Sequence, residues 1–346
     1  MAKDVRRLDI ILTDPQSAYK AGENFTGTIF LDLVAETKIK GLRLSVHGVA
    51  RCSWDNTRAK ATFKGMTSGT SSCKNAELYL DDVVQIPKFA GGVMKPGSYS
   101  YSFSYHLPPF LPSSFEGQYG KVQYWVKCVL ERAWKGSQEV TRPFIVRGVL
   151  DLNTEPHMRL PLQEVTEAVF GTCCCRGGHV EAILGVQRQG FVPGESIPFK
   201  VSIHNESTGN LKHLRLTMFQ IVTFMANKQT RKTNQAIMAG YYGNVKKGDN
   251  LVWEDELRNI PQVVPSSLGP GCRFIDVKYQ LHLLANQGRC GNKVNVILDI
   301  KIGTVPLRKA ESGESKTVKA AARQSITNSA SHTAPTAAGS AKNKKK

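Results

Sequence analysis

Three adjacent cysteines, Cys173-Cys174-Cys175, are the most reactive-looking feature of this 346-residue chain. Structural zinc needs ligand pairs at a spacing such as Cys-x-x-Cys, with a second pair elsewhere. Cys272 and Cys290 stand far off at a different spacing, so zinc is not expected. Adjacent cysteines cannot form a Cys-x-x-Cys redox centre either. Two readings stay open for the cluster: reduced thiols, or S-palmitoylation of one or more of them beside Arg176. The remaining cysteines, Cys52, Cys73, Cys128, Cys272 and Cys290, read as reduced thiols. An exposed thiol such as Cys73 or Cys290 would offer a redox-regulated contact. Four histidines, His47, His106, His204 and His213, are scattered over strand-like stretches with no repeated partner acid. They read as surface or satisfied groups. The chain has no Gly-rich phosphate loop, no Gly-x-Ser-x-Gly elbow and no His-Glu-x-x-His. No catalytic residue, metal site or cofactor is predicted, and the chain is not expected to be an enzyme.

Charge points to partners instead. The formal net charge is +18, which favours phospholipid head groups or phosphorylated peptides. The strongest candidate is the basic stretch Lys228, Arg231 and Lys232, with Lys246 and Lys247 on the returning strand. In a hairpin these five are expected to cluster and to bind phosphates; the plainer alternative is a solvated loop. Arg6 and Arg7 on the first strand form a second candidate. Nucleic acid is not expected. The charge lacks interleaved aromatic platforms, and no recognition-helix or RNA-binding signature accompanies it.

The elements that must position these groups are strands. In Tyr99–Leu107 every odd residue is apolar or aromatic and every even one polar, the pattern of a half-buried strand. Val122, Tyr124, Val126, Cys128 and Leu130 share a face, as do Val294, Val296, Leu298 and Ile300. The same pattern occurs twice. Tyr19-Lys20-Ala21-Gly22-Glu23 returns 172 residues later as Phe191-Val192-Pro193-Gly194-Glu195, and Leu111-Pro112-Ser113-Ser114 returns as Val264-Pro265-Ser266-Ser267. A two-fold repeat this long implies a duplicated domain. Short strands between Gly- and Pro-bearing turns predict antiparallel β-sandwiches. Only Leu160–Phe170 suggests a short helix.

The expected division is a first domain over 5–147, a connector over 148–166, a second domain over 167–307, and a disordered basic tail over 308–346. That tail has nine Lys and Arg against two Glu, and its Ala/Ser/Thr/Lys composition cannot build a core. No apolar run is long enough for a membrane span, and no signal-peptide core or lipidation motif opens the chain. A cytoplasmic location is expected.

Several segments together resemble the alpha-arrestins, the arrestin domain-containing proteins. Leu111-Pro112-Ser113-Ser114-Phe115-Glu116-Gly117-Gln118-Tyr119-Gly120, followed by Val122-Gln123-Tyr124-Trp125-Val126 and Glu131-Arg132-Ala133-Trp134, is similar to that family's most distinctive stretch. The likeness continues at Asp151-Leu152-Asn153, at the cysteine cluster, at Gly190–Ile197 and at Ile302-Gly303-Thr304-Val305-Pro306-Leu307. The resemblance implies two tandem arrestin-like (immunoglobulin-like) sandwiches. It also implies a non-enzymatic adaptor that binds membrane cargo for endocytosis, endosomal sorting and ubiquitin-linked regulation at the plasma membrane and endosomes. Such proteins recruit WW-domain ubiquitin ligases through Pro-Pro-x-Tyr motifs. This sequence departs from that pattern: its only Pro-Pro, Pro108-Pro109, precedes Phe110-Leu111, and after Leu307 it has one proline, Pro335, and no tyrosine. That leaves indirect recruitment of a ligase, or holding of cargo without one, with anionic lipid as a further partner for the basic tail. A fixed subunit of a sorting or coat complex and a thiol-regulated interaction protein are the alternative readings.

Overall fold

The computed structural model describes residues 4–14, 16–62, 65–86, 91–170, 178–269, 271–287 and 293–308, with backbone only at 57–62, 65–70 and 170. Cys173, Cys174, Cys175, Cys290 and the chain beyond Arg308 lie outside them.

The first half consists of β1 (Val5–Leu12), β2 (Ala18–Lys20), β3 (Asn24–Leu33), β4 (Thr37–Thr62), β5 (Gly65–Val84), β6 (Gly92–Met94), β7 (Gly97–His106), β8 (Phe115–Gly117), β9 (Gly120–Arg132) and β10 (Gln138–Arg147). They form a three-stranded sheet, β1-β3-β7, facing a larger sheet ordered β2-β10-β9-β4-β5, with β6 on β4 and β8 on β9. The period-two pattern does what it predicts. Val122, Tyr124, Val126, Cys128 and Leu130 of β9 are all buried, and so are Phe25, Ile29 and Leu31 of β3. Between the sheets Phe25 stacks on Phe144 at 4.5 Å, with Tyr19 edge-on at 4.9 Å.

The second half contains β11 (Leu162–Phe170), β12 (Gly178–Val186), β13 (Gly190–Phe191), β14 (Ile197–Asn205), β15 (Leu211–Ala226), β16 (Gln229–Val245), β17 (Asn250–Leu257), β18 (Ile275–Asn286) and β19 (Lys293–Ile302). A four-stranded sheet, β11-β12-β14-β17, faces a five-stranded one, β13-β19-β18-β15-β16. The pairing is antiparallel except for two short strands, β2 on β10 and β13 on β19. These occupy equivalent places in the two halves.

The stretch 160–170 is not helical. Leu162 to Phe170 pair residue by residue with Val186 to Gly178, so strand pairing begins inside the stretch read as connector. Its Leu, Val and Ala spacing imitates a helical stripe, but the open edge of β12 offers a full ladder of backbone partners, and that outweighs a weak local preference.

The duplication is visible bond by bond. Gly22 and Gly194 both take positive φ, 86° and 90°, a conformation that glycine adopts without strain. Each following glutamate folds back on its own turn: Lys20 N–H donates to Glu23 Oε2 at 3.2 Å and Val192 N–H to Glu195 Oε2 at 2.9 Å. The Pro-Ser-Ser repeat works the same way. Ser113 Oγ accepts from Gly148 N–H at 2.9 Å, and Ser266 Oγ from Ile302 N–H at 3.0 Å. Beside each serine a buried tyrosine ties down a carbonyl, Tyr124 to Pro112 at 2.8 Å and Tyr279 to Val264 at 2.6 Å. These are the paired bonds that buried polar groups require.

Candidate partner-binding surface

The two sandwiches meet where two long hairpins reach across. β15 and β16 reverse at Asn227 and Lys228, both at positive φ (49° and 61°), the backbone of a tight hairpin turn. Just before that turn, Phe224 is fully buried. It lies edge-on to Tyr119 at 5.8 Å and tilted over Phe115 at 6.3 Å, both in the first sandwich. Gly120 makes room for it: a Cβ there would stand 2.8 Å from Cys52 Sγ and 3.0 Å from the Phe224 ring. Backbone ties add to the packing. Ser113 N–H donates to Leu268 O at 2.7 Å, and the Cys52 thiol to Phe274 O at 3.6 Å.

Polar groups of the two hairpins interlock at the rim. Asn56 Nδ2 donates to Gln229 Oε1 at 2.5 Å, and Arg231 Nη2 donates to Asn56 Oδ1 at 2.6 Å. Further along, Arg273 Nε donates to Glu77 Oε1 at 2.6 Å, and Tyr79 OH to Glu77 Oε2 at 2.8 Å. Burial by itself raises the Glu77 carboxyl; the bonds from Arg273 and Tyr79 outweigh it and hold the group below its ordinary 4.5. Because the folded value is depressed, the stabilisation is complete above pH 4.5 and is lost as pH falls through the lower folded value. Below pH 4.5, the thermal midpoint of the wild type should therefore fall more steeply than that of Glu77→Gln. Parallel slopes would show that the carboxylate does not couple the halves.

Of the basic candidates, Lys228, Arg231 and Lys232 stand exposed together at the hairpin tip, with Arg231 held by the first sandwich. Lys246 and Lys247 do not join them. β16 runs unbroken to Val245, so at about 3.3 Å per residue they lie roughly 45 Å from Lys232. The expected five-residue cluster is thus two separate sites. Arg6 is exposed on β1. Arg7 is engaged: it pairs with Asp9 at 2.8 Å and lies 5.9 Å from the Phe30 ring centre, and Asp9 also takes Arg142.

Cys73 is not the exposed thiol expected. It is 3% exposed and turned inward from β5, where the Asn56 amide donates to its sulfur at 3.2 Å. His47 is satisfied, between Asp81 at 2.9 Å and Ser45 at 2.8 Å, and stacked on Trp125. Among the described residues no cluster of His, Cys, Asp or Glu could hold a metal ion, and no helix is long and apolar enough to cross a membrane. Sequence reasoning missed Asn56, Glu77, Phe224 and Arg273. Their partners across the seam lie more than a hundred residues away in the chain, and no local pattern marks them.

Known families match both halves. "Arrestin (or S-antigen), N-terminal domain" covers residues 8–153 and "Arrestin (or S-antigen), C-terminal domain" covers 176–307. Arrestin domain-containing protein 4 of Mus musculus is 30% identical over 307 residues, covering 87% of this chain and 72% of its own length. The chain is an alpha-arrestin. Other similar alpha-arrestins are arrestin domain-containing protein 17 of Caenorhabditis elegans and the thioredoxin-interacting protein of Homo sapiens. Each is 28% identical across 87% of this chain, covering 71% and 75% of their respective lengths. Arrestin-family proteins are non-enzymatic adaptors, and the seam of this alpha-arrestin is built for packing and for charge.

Proposed function

We propose that this alpha-arrestin binds membrane-protein cargo, receptors or transporters, for endocytosis, endosomal sorting and ubiquitin-linked regulation. The observation that carries the reading is the exposed cationic tip Lys228-Arg231-Lys232, fixed at the rim of the seam by Asn56 of the other sandwich. A cargo tail bearing phosphate or carboxylate meets there a guanidinium already held in place, so less side-chain freedom is lost on binding. The working division is two domains, 5–147 and 167–307, joined by 148–166, with 308–346 as a basic tail at anionic lipid of the plasma membrane or endosome.

The test is proximity labelling in living cells with the full chain, a chain ending at Leu307, and the triple variant Lys228→Glu, Arg231→Glu, Lys232→Glu. Receptors and transporters should be labelled by the full chain and lost with the triple variant. Each cation near an anionic surface contributes about 1 kcal/mol, so three together correspond to roughly a hundredfold in affinity. A label set without membrane proteins would sink the reading.

The thiol-regulated alternative finds less support. One relative is named for an interaction with thioredoxin, but in this chain Cys52, Cys73 and Cys128 are buried. Burial pushes the Cys52 thiol up to about 11 and the Cys128 thiol to about 12, where little thiolate exists to react.

A further inference from the structure

Free sheet edges are hazards that proteins usually blunt with charge, proline or shortness. Among the described residues, every free edge strand longer than three residues follows that rule except one. β1 carries Arg6, Arg7 and Asp9; β5 carries Lys74, Asp81 and Asp82; β11 carries Glu164 and Glu167. β16 carries Arg231 and Lys232, and β17 carries Glu254, Asp255 and Glu256. β7, Gly-Ser-Tyr-Ser-Tyr-Ser-Phe-Ser-Tyr-His, is ten residues long with no Lys, Arg, Asp, Glu or proline, and it pairs with β3 alone.

Its register fixes which backbone groups are free. Leu107 N–H bonds to Glu23 O at 3.0 Å, and the pairing then runs without a bulge from His106–Asn24 to Gly97–Leu33. In an antiparallel pair alternate residues turn their N–H and C=O toward the partner. The odd residues of β7 therefore face β3. Ser98, Ser100, Ser102 and Ser104 turn theirs outward, and their side chains are exposed.

We propose that β7 pairs antiparallel with β7 of a second copy of this chain about a two-fold axis at Ser102. Ser102 then meets Ser102 of the partner subunit, and Ser100 meets Ser104 of the partner subunit. The two β1-β3-β7 sheets become one of six strands. Complementary charges from outside the strand flank the two ends of β7. Tyr105 is hydrogen-bonded to Asp82, whereas Tyr99, at the other end, is hydrogen-bonded to the carbonyl of the exposed Lys95 at 2.8 Å. The antiparallel register lays Tyr105 opposite Tyr99 of the partner subunit, so Asp82 faces Lys95 of the partner subunit, and the pair occurs twice. On a strongly basic chain, this edge lets two copies meet without opposing like charges.

Sedimentation equilibrium on the full chain tests it. The wild type should dimerise. Ser102→Lys sets two lysines on the axis, where like charges oppose directly, and should weaken the dimer at least about tenfold with an unchanged circular dichroism spectrum. Lys95→Glu should weaken it as well, and adding Asp82→Lys should restore it. A wild type that stays monomeric overturns the proposal, as does a dimer indifferent to both substitutions. A monomer whose β7 amides gain exchange protection only when a different protein binds assigns the edge to that partner and also overturns self-pairing.

Discussion

Phe224→Ala should split the thermal unfolding of the chain into two transitions. The side chain is fully buried and packs on Tyr119 and Phe115 of the first sandwich. Truncating a buried phenylalanine costs about 3–5 kcal/mol through lost transfer energy and the cavity left behind. Here the cavity opens at the seam rather than inside one sandwich, so the loss falls on the coupling between the halves. Differential scanning calorimetry should show two endotherms in place of one. Phe224→Leu, which keeps most of the volume, should stay close to a single transition, since conservative apolar swaps cost under about 1.5 kcal/mol. A single, unshifted endotherm for the alanine variant would mean that the backbone ties hold the seam without the ring.

Asn205→Ala should destabilise the second sandwich about as strongly. Asn205 is 1% exposed. Its Nδ2 donates to Lys246 O at 2.8 Å, Gly209 O at 3.1 Å and Val245 O at 3.4 Å, and its Oδ1 accepts from Ser207 Oγ at 2.5 Å. One amide thus pins the end of β14, the turn after it and the end of β16. Ser207 Oγ, Gly209 O and Lys246 O keep other partners, so the loss is that of four hydrogen bonds at about 0.5–1.5 kcal/mol each, together about 3 kcal/mol or more. Asn205→Asp should be no milder, because the same carbonyls would then face a carboxylate. The urea midpoint reads both variants, and a shift in Asn205→Ala typical of a surface change would refute the pinning role. Asn205-Glu206-Ser207 also matches the Asn-x-Ser glycosylation pattern, but here the amide is enclosed and hydrogen-bonded.

What could be read in advance was whatever repeats or alternates. The Gly-Glu turns and the Pro-Ser-Ser turns stood out because each half needs the same bonds to close its own sandwich, so the same residues recur. Alternation in β7, β9 and β19 marked their inward faces for a similarly local reason. The errors share a different cause. β16 continues through Gly240 and Gly243 to Val245, and that length alone separates Lys246 from Lys232. Leu162–Phe170 has a helical spacing but finds a ladder on β12. The inward turn of Cys73 and the bond between Asn56 and Arg231 depend on packing that no neighbouring residue encodes.

The span of the seam bonds has a consequence for synthesis. In the first half, the bonds of the Gly-Glu turn and of the Ser113 and Tyr124 ties all close by Gly148, so that sandwich has what it needs to fold while the rest is still being translated. Cys52, Asn56 and Glu77 then wait for partners 222, 173 and 196 residues downstream. Until Phe224 emerges, Phe115 and Tyr119 present an uncovered aromatic face on an otherwise finished domain. That face is where a chaperone would find the nascent chain, and the arrival of one hairpin ends its access.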